Sequence, residues 1–204
     1  MVIQAIVEGH GEVNAVPELL RRLCYEAGIF APKLLPAIRA HRTDFSERAR
    51  LERWVRLAKL HEPSAIIIIY DADDDCAVTA ASLTRAVAQP CSLPIPCEVV
   101  VANREYESWF LAAMESLRGH RGIAADAAYP GDPEEPRDAK GRLSRKMVGN
   151  RTYSETADQA GLTATMDLAV AHQRCRSFRK MVKVFGELAR AAGHGAAQWP
   201  PAGW

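Results

Sequence analysis

The run Ala65-Ile66-Ile67-Ile68-Ile69 is apolar at every position and shows no alternation. Four consecutive isoleucines predict a strand buried on both faces, as in a parallel sheet covered by helices on each side. Residues 2–7 and 98–102 read as further strands. Residues 34–39 read as an edge strand only, because Pro36 cannot donate to a ladder. Between these runs the apolar positions recur at helical spacing. A helix is expected over residues 14–27, with Asn14 as N-cap, Pro17 in the first turn and Gly28 at C′. A second should start at Asp44 or Ser46 and run to His61, with Ala49, Trp54, Leu57 and Ala58 on one face. Two more are expected over 77–88 and 106–117, where Trp109, Phe110 and Met114 read as core. Strands alternating with helices predict an α/β fold, a small parallel sheet of about four strands flanked by helices.

Past residue 119 the pattern changes. Residues 119–143 are rich in Pro, Gly, Asp and Arg and read as a long loop. Residues 144–192 are helical with no strand signal, and 193–204 read as an irregular tail. The expected organisation is an α/β domain over 1–118, a loop over 119–143, a helical extension over 144–192 packed on that domain, and the tail.

Composition narrows the class. The chain has 204 residues, 48% hydrophobic and 25% charged, which suits one globular core. The longest aliphatic run is too short to span a bilayer. Met1-Val2-Ile3-Gln4 offers no signal-peptide pattern. Cys24, Cys76, Cys91, Cys97 and Cys175 lack metal-ligand spacing and read as reduced thiols, so a cytoplasmic location is expected. The net charge of +1 makes no electrostatic case for nucleic acid, but its distribution does: residues 140–190 hold eleven Lys or Arg against four Asp or Glu. A basic half beside an acidic centre suits a polyanion held over metal ions.

The acids sit where strands end. Asp71, Asp73 and Asp75 follow the isoleucine strand, and a doubly buried strand cannot keep them inside. Carboxyl ends of strands are where open α/β sheets hold ligands. Glu8 and Glu12 flank the turn Gly9-His10-Gly11 after the first strand, and Glu105 and Glu107 follow the strand at 98–102. Seven carboxylates at one pole repel one another unless a cation or shared protons intervene, and hard divalent ions prefer oxygen ligands. The simpler alternatives are an acidic solvated turn for the aspartates and a helix-dipole role for Glu12. Other motifs fail on spacing. A dinucleotide fingerprint needs glycine where Asn14 stands, and an EF-hand loop from Asp71 needs Gly and Glu where Cys76 and Ser82 stand.

The turn Glu8-Gly9-His10-Gly11-Glu12, the following Pro17-Glu18-Leu19-Leu20, and Asp71-Ala72-Asp73 after the isoleucine strand resemble the Toprim domain. That domain is the catalytic unit of topoisomerases, bacterial primases and the overcoming-lysogenization-defect nucleases. Segments 104–110, 153–159 and 174–178 make the whole chain similar to a bacterial Toprim-like family known only as a domain of unknown function. The resemblance implies a Toprim-like sheet with Glu8, Asp71 and Asp73 as catalytic residues that also bind Mg2+ or Mn2+. Glu12 and one of Asp75, Glu105 and Glu107 would complete a second metal position, and Lys146 would neutralise the scissile phosphate. The function so implied is a metal-dependent nuclease, in defence against phage or plasmids. The alternatives are a non-catalytic adaptor for a separate ATPase and a nucleotidyl transferase. DNA or RNA is the expected partner, and homodimerisation is left open. Arg104, Arg145, Arg176, Arg179 and Lys180 are the expected nucleic-acid contacts. The spacing of Arg176, Arg179, Lys180 and Lys183 allows one helix face to carry them, opposite Phe178, Val182, Phe185 and Leu188.

Overall fold

The computed structural model describes residues 1–92 and 94–204. Five strands, β1 (Val2–Val7), β2 (Lys33–Leu34), β3 (Ile38–Arg39), β4 (Ala65–Asp71) and β5 (Cys97–Ala102), form one parallel sheet. Its order is β2-β1-β4-β5, with β3 beside the second half of β1. The expected parallel α/β sheet is therefore present. The expected strand at 34–39 is two short pieces interrupted around Pro36, which has no N–H to give to β1. The buried Gln4 side chain donates to the Pro36 carbonyl at 2.7 Å, so the interruption is held in place.

Helices α1 (Glu12–Glu26), α2 (Arg48–Lys59), α3 (Ala77–Ser92) and α4 (Ser108–Ala112) alternate with the strands, and α5 (Ala139–Ser144), α6 (Glu155–Thr165), α7 (Leu168–Arg174) and α8 (Arg176–Ala191) follow. Strand side chains alternate between faces. Ile3, Ala5, Val7, Ile67, Ile69 and Val100 pack with α1, α4 and the C-terminal helices. Ile6, Ile66, Ile68, Tyr70, Val99 and Val101 pack with α2 and α3. That two-sided cover is why the isoleucine run carries no polar alternation.

Several local expectations change. The first helix begins at Glu12, so Asn14 lies inside it and does not cap, and Pro17 falls in the second turn. Gly28 does adopt the left-handed conformation (φ 71°) just past its end. The helix expected over 106–117 is α4 followed by a 3-10 turn at Met114–Leu117. The stretch 119–143 ends in the first residues of α5, and it is anchored along its length. Ile123, Ala127 and Ala139 are buried, Arg118 donates to the Ala127 carbonyl at 2.7 Å, and Arg174 donates to the Tyr129 carbonyl. Glu134 accepts from the backbone amides of Arg176 (3.2 Å) and Ser177 (2.8 Å), capping α8 from a distance.

Phe178, Val182, Phe185 and Leu188 of α8 are buried in the same core as β1, β4 and β5. Phe178 meets Trp109 edge-on with ring centroids 5.3 Å apart. The tail has no helix or strand among residues 193–204, yet Trp199 donates to the Val182 carbonyl at 2.8 Å and packs on Phe185. No helix among the described residues is long and apolar enough to cross a membrane. Since one core joins the C-terminal helices to the sheet, Phe178→Ala should cost about 3–5 kcal/mol. Urea unfolding followed by circular dichroism and by tryptophan fluorescence should give one coincident, lowered midpoint. Separate transitions for helices and sheet would show that the core is divided.

Candidate functional site

The carboxyl ends of β1, β4 and β5 point to one pole, and a cavity of ≈ 240 Å³ opens there. Glu8, Glu12, Asp71, Asp73, Lys140 and Glu155 line it, with the exposed His10, Arg39 and His41 and the half-buried Arg42 also in its wall. Glu107 lies behind it, fully buried.

Each acid reaches the site by a local cause. Glu8 follows directly on β1. Glu12 opens α1 and turns back over the glycine turn, where one oxygen accepts from the backbone amides of Glu8 (3.0 Å) and Gly9 (2.9 Å). Asp71 ends β4 and accepts from the Tyr106 amide at 2.9 Å. Glu107 precedes α4, and its Oε1 accepts from the Tyr153 hydroxyl (2.7 Å) and from the Gln159 amide (3.4 Å). Lys140 enters from α5 and pairs with Glu155 at 2.5 Å. Glu105 accepts from the Lys140 backbone amide at 3.0 Å, so it holds the start of α5 against the sheet.

Burial and mutual repulsion dominate the electrostatics. Burial pushes Glu12 up to about 8, with Glu107 and Glu8 adding to the rise and the Gly9 and Glu8 amides opposing it. Glu107 rises to about 7 through burial, with Lys140 and the Tyr153 hydroxyl pulling the other way. Asp71 is raised well above its usual range by burial, then by Glu12 and Glu107. Glu8 is raised by burial, which Arg42 counters. Burial disfavours the Lys140 charge, but Glu107, Glu155 and Asp71 outweigh it and hold the ammonium protonated. Two buried carboxylate oxygens, Glu8 Oε2 and Glu107 Oε2, have no hydrogen-bond partner, and neither has Gln159 Oε1.

Gly11 is required for space. Its φ of −70° is open to any residue, but a Cβ there would lie 2.6 Å from the Glu155 carbonyl and would also strike the Gln159 side chain. The N-terminus of α6 thus rests directly on the glycine turn, and this brings Glu155 and Gln159 to the pole.

The structure separates several residues that the sequence groups together. Asp75 faces outward and pairs with Arg42 at 2.7 Å. Glu105 positions Lys140, so of the three competing acids only Glu107 joins Glu8, Glu12 and Asp71. Asp73 is exposed at the cavity mouth with a left-handed backbone (φ 51°), near Arg42 at 3.7 Å. Lys146 stands outside the cavity, beside the Ile123–Met147 bridge, whereas Lys140 lines it.

The expected basic face is likewise divided. None of Arg104, Arg145, Arg176, Arg179 and Lys180 lines the carboxylate cavity. Arg104 (φ 69°) clamps the aspartate turn through the Asp73 carbonyl (3.2 Å) and Asp74 (2.9 Å). Arg145 faces Asp138 at 3.7 Å. Arg179 donates to the carbonyls of His172 and Gln173 at the end of α7. Arg176 and Lys180 line a separate groove with Arg85 and Asn103. Of the cations that do reach the pole, Lys140 opens the basic stretch noted in the sequence, while Arg39 and Arg42 lie in segments whose composition gave no signal for the site. Segment 153–159 carried the resemblance, but without a role for Glu155.

Among the described residues no three His, Cys, Asp or Glu side chains already stand as a metal cage. The donor set is nonetheless one that a hard dication prefers, carboxylates lining one cavity with Glu8 Oε2 among them unpartnered. Glu8, Glu12, Asp71 and Asp73 are the residues that would hold such an ion, after side-chain rotation.

The raised carboxylates set a sign for the pH dependence. The folded state keeps protons on Glu12 and Glu107 that the unfolded chain releases near 4.5, so their contribution is full below about 4.5. It then declines as pH rises and is lost through about 8. Glu12→Gln keeps an oxygen for both amides and cannot ionise, so it should flatten the fall in melting temperature between pH 5 and 8.5 measured in chelator. An unchanged slope would show that Glu12 is charged throughout.

No curated protein and no solved structure matches the chain. The family described as "Domain of unknown function (DUF4276)" matches residues 7–185, from the last residue of β1 to the middle of α8. That span takes in the whole carboxylate pole, and the chain belongs to this family.

Proposed function

We propose that the carboxylate pole is the active site of a divalent-metal-dependent phosphodiesterase acting on nucleic acid, with a Toprim-like arrangement. One observation carries this reading: buried carboxylates that repel one another, two of them with unpartnered oxygens, lie beneath a wall that also presents Arg39, Arg42 and Lys140. Acids without enough counter-charge suit a dication, and the neighbouring cations suit a phosphate. The placement of Glu8 after the first strand, with Asp71 and Asp73 after the neighbouring central strand, agrees with the Toprim resemblance.

When bound, Mg2+ or Mn2+ would neutralise developing charge on the phosphoryl group and lower the pKa of an attacking water. In this reading Glu8, whose carboxyl burial has raised, takes the proton from that water at Oε2. Lys140, kept charged by Glu107 and Glu155, and Arg42 hold the phosphate oxygens. Tyr153 and Gln159 fix Glu107 from behind. The left-handed backbone at Asp73 and Arg104 fits a turn built for a task, since such conformations concentrate at functional sites. An anti-phage or anti-plasmid role is a natural setting for a nuclease of this kind.

A second reading, an adaptor for a separate ATPase, draws on the absence of a ready-made metal cage among the described residues and on the engagement of Glu12 and Asp71 with backbone amides.

Two measurements separate these readings. Mg2+ at a hundredfold its dissociation constant should add about 2.7 kcal/mol to stability, more visibly at pH 8 than at pH 6, and chelator should reverse it. No thermal shift at millimolar Mg2+ or Mn2+ would favour the adaptor. Incubation with single-stranded and plasmid DNA or with RNA should show metal-dependent cleavage, lowered at least about 100-fold by Glu8→Gln. Cleavage that survives Glu8→Gln, Asp71→Asn and chelator would sink the assignment.

A further inference from the structure

A second cavity, ≈ 400 Å³, adjoins the carboxylate cavity through Arg42, which lines both. It lies between the 3-10 turn at Arg42–Phe45 and the face of α3 that carries Thr79, Ala80, Leu83 and Val87. Its walls are apolar at Phe45, Ala80, Leu83 and Val87, with the hydroxyls of Ser46 and Thr79 among them. Asp75 is the acid in its lining, and the Arg42 guanidinium neutralises it at 2.7 Å. Arg48 stands at the same cavity with a largely exposed side chain.

Arg42 is braced. Its guanidinium lies over the Tyr70 ring, 5.1 Å from the centroid, and Tyr70 stacks in parallel on Phe45 at 4.5 Å. A fixed cation therefore separates a carboxylate site from an apolar slot. Those are the parts a nucleotide presents in sequence: a phosphate for the guanidinium, then a flat apolar base with polar edges for the slot and its hydroxyls.

We propose that this second cavity is a nucleobase subsite, taking the base of a nucleotide whose phosphate meets Arg42. The proposal rests on the phosphodiesterase reading and adds a substrate class to it. A base inside a duplex stack cannot enter a slot in the protein without first being unstacked. The substrate is accordingly a single strand or an unpaired nucleotide, and base pairing at that position blocks binding.

Calorimetry on the full chain without metal, using adenosine 5′-monophosphate and ribose 5-phosphate, tests this. The nucleotide should bind at least about tenfold more tightly than the sugar phosphate. Ala80→Phe, which fills the slot, should erase that advantage and leave ribose 5-phosphate binding as it was. Leu83→Glu gives a second variant that does not depend on core packing, since Leu83 is 65% exposed, and it should also erase the advantage. Equal binding of the two probes in the unmodified protein, or an advantage that survives both substitutions, overturns the proposal. Single-strand cleavage that ignores both substitutions overturns the subsite and leaves the hydrolase standing. Nucleotide binding that depends on Ala80 and Leu83 in a protein that cleaves no polynucleotide does the reverse.

Discussion

The fold is organised around the burial of Glu12, Asp71 and Glu107 close to one another. Two unit charges 4 Å apart at an effective dielectric constant near 20 would repel by about 4 kcal/mol, a sizeable fraction of a domain's stability, and the raised pKa values of these groups are the chain's way of avoiding that cost. The surrounding architecture supplies what offsets this. Amides of the glycine turn answer Glu12, the Tyr106 amide answers Asp71, and the Tyr153 hydroxyl with Lys140 answers Glu107. These partners come from segments far apart in the chain. The pole is thus the place where the sheet, the connecting stretch and the C-terminal helices must all agree.

The same device recurs away from the pole. Glu105, Glu134, Asp138 and Asp158 each accept from a backbone amide at the start of a helix or of the segment leading into one. A carboxylate used in this way satisfies a donor the helix itself leaves orphaned. Side-chain contacts to main chain of this kind, together with the Ile123–Met147 bridge, anchor the stretch between α4 and α5 despite a composition typical of loops.

This bears on how far the sequence could be read. Strand burial was legible because the isoleucine run forbids a solvent face, and the pole was legible because acids must leave such a strand at its end. Phe178, Val182, Phe185 and Leu188 were legible as a packed face from spacing alone. What composition hides is the destination of each acid and base. Glu105 and Glu107 are two residues apart, yet one braces α5 and the other lies buried behind the cavity. Lys140 and Lys146 are six apart in the same basic stretch, and it is the tertiary contacts of Lys140, its amide on Glu105 and its ammonium on Glu155, that bring it into the cavity wall. The helix boundaries moved for a related reason. Glu12, by folding back on the glycine turn, starts α1 earlier than Asn14 would, and Pro36 cuts an apolar run that hydropathy reads as continuous.

The contact between Gly11 and the first turn of α6 has a consequence for the chain as it is made. The glycine turn, the isoleucine strand and their acids leave the ribosome well before residues 140–159, which bring Lys140, Tyr153, Glu155 and Gln159. At synthesis rates of about 5–20 residues per second, several seconds separate the two events. During that interval Glu8, Glu12, Asp71 and Glu107 exist without Lys140, Tyr153, Glu155 and Gln159 beside them. The polar surroundings of the pole are therefore complete only once residues 140–159 have been made, and a shorter growing polypeptide carries the acids without the groups that enclose them in the folded chain.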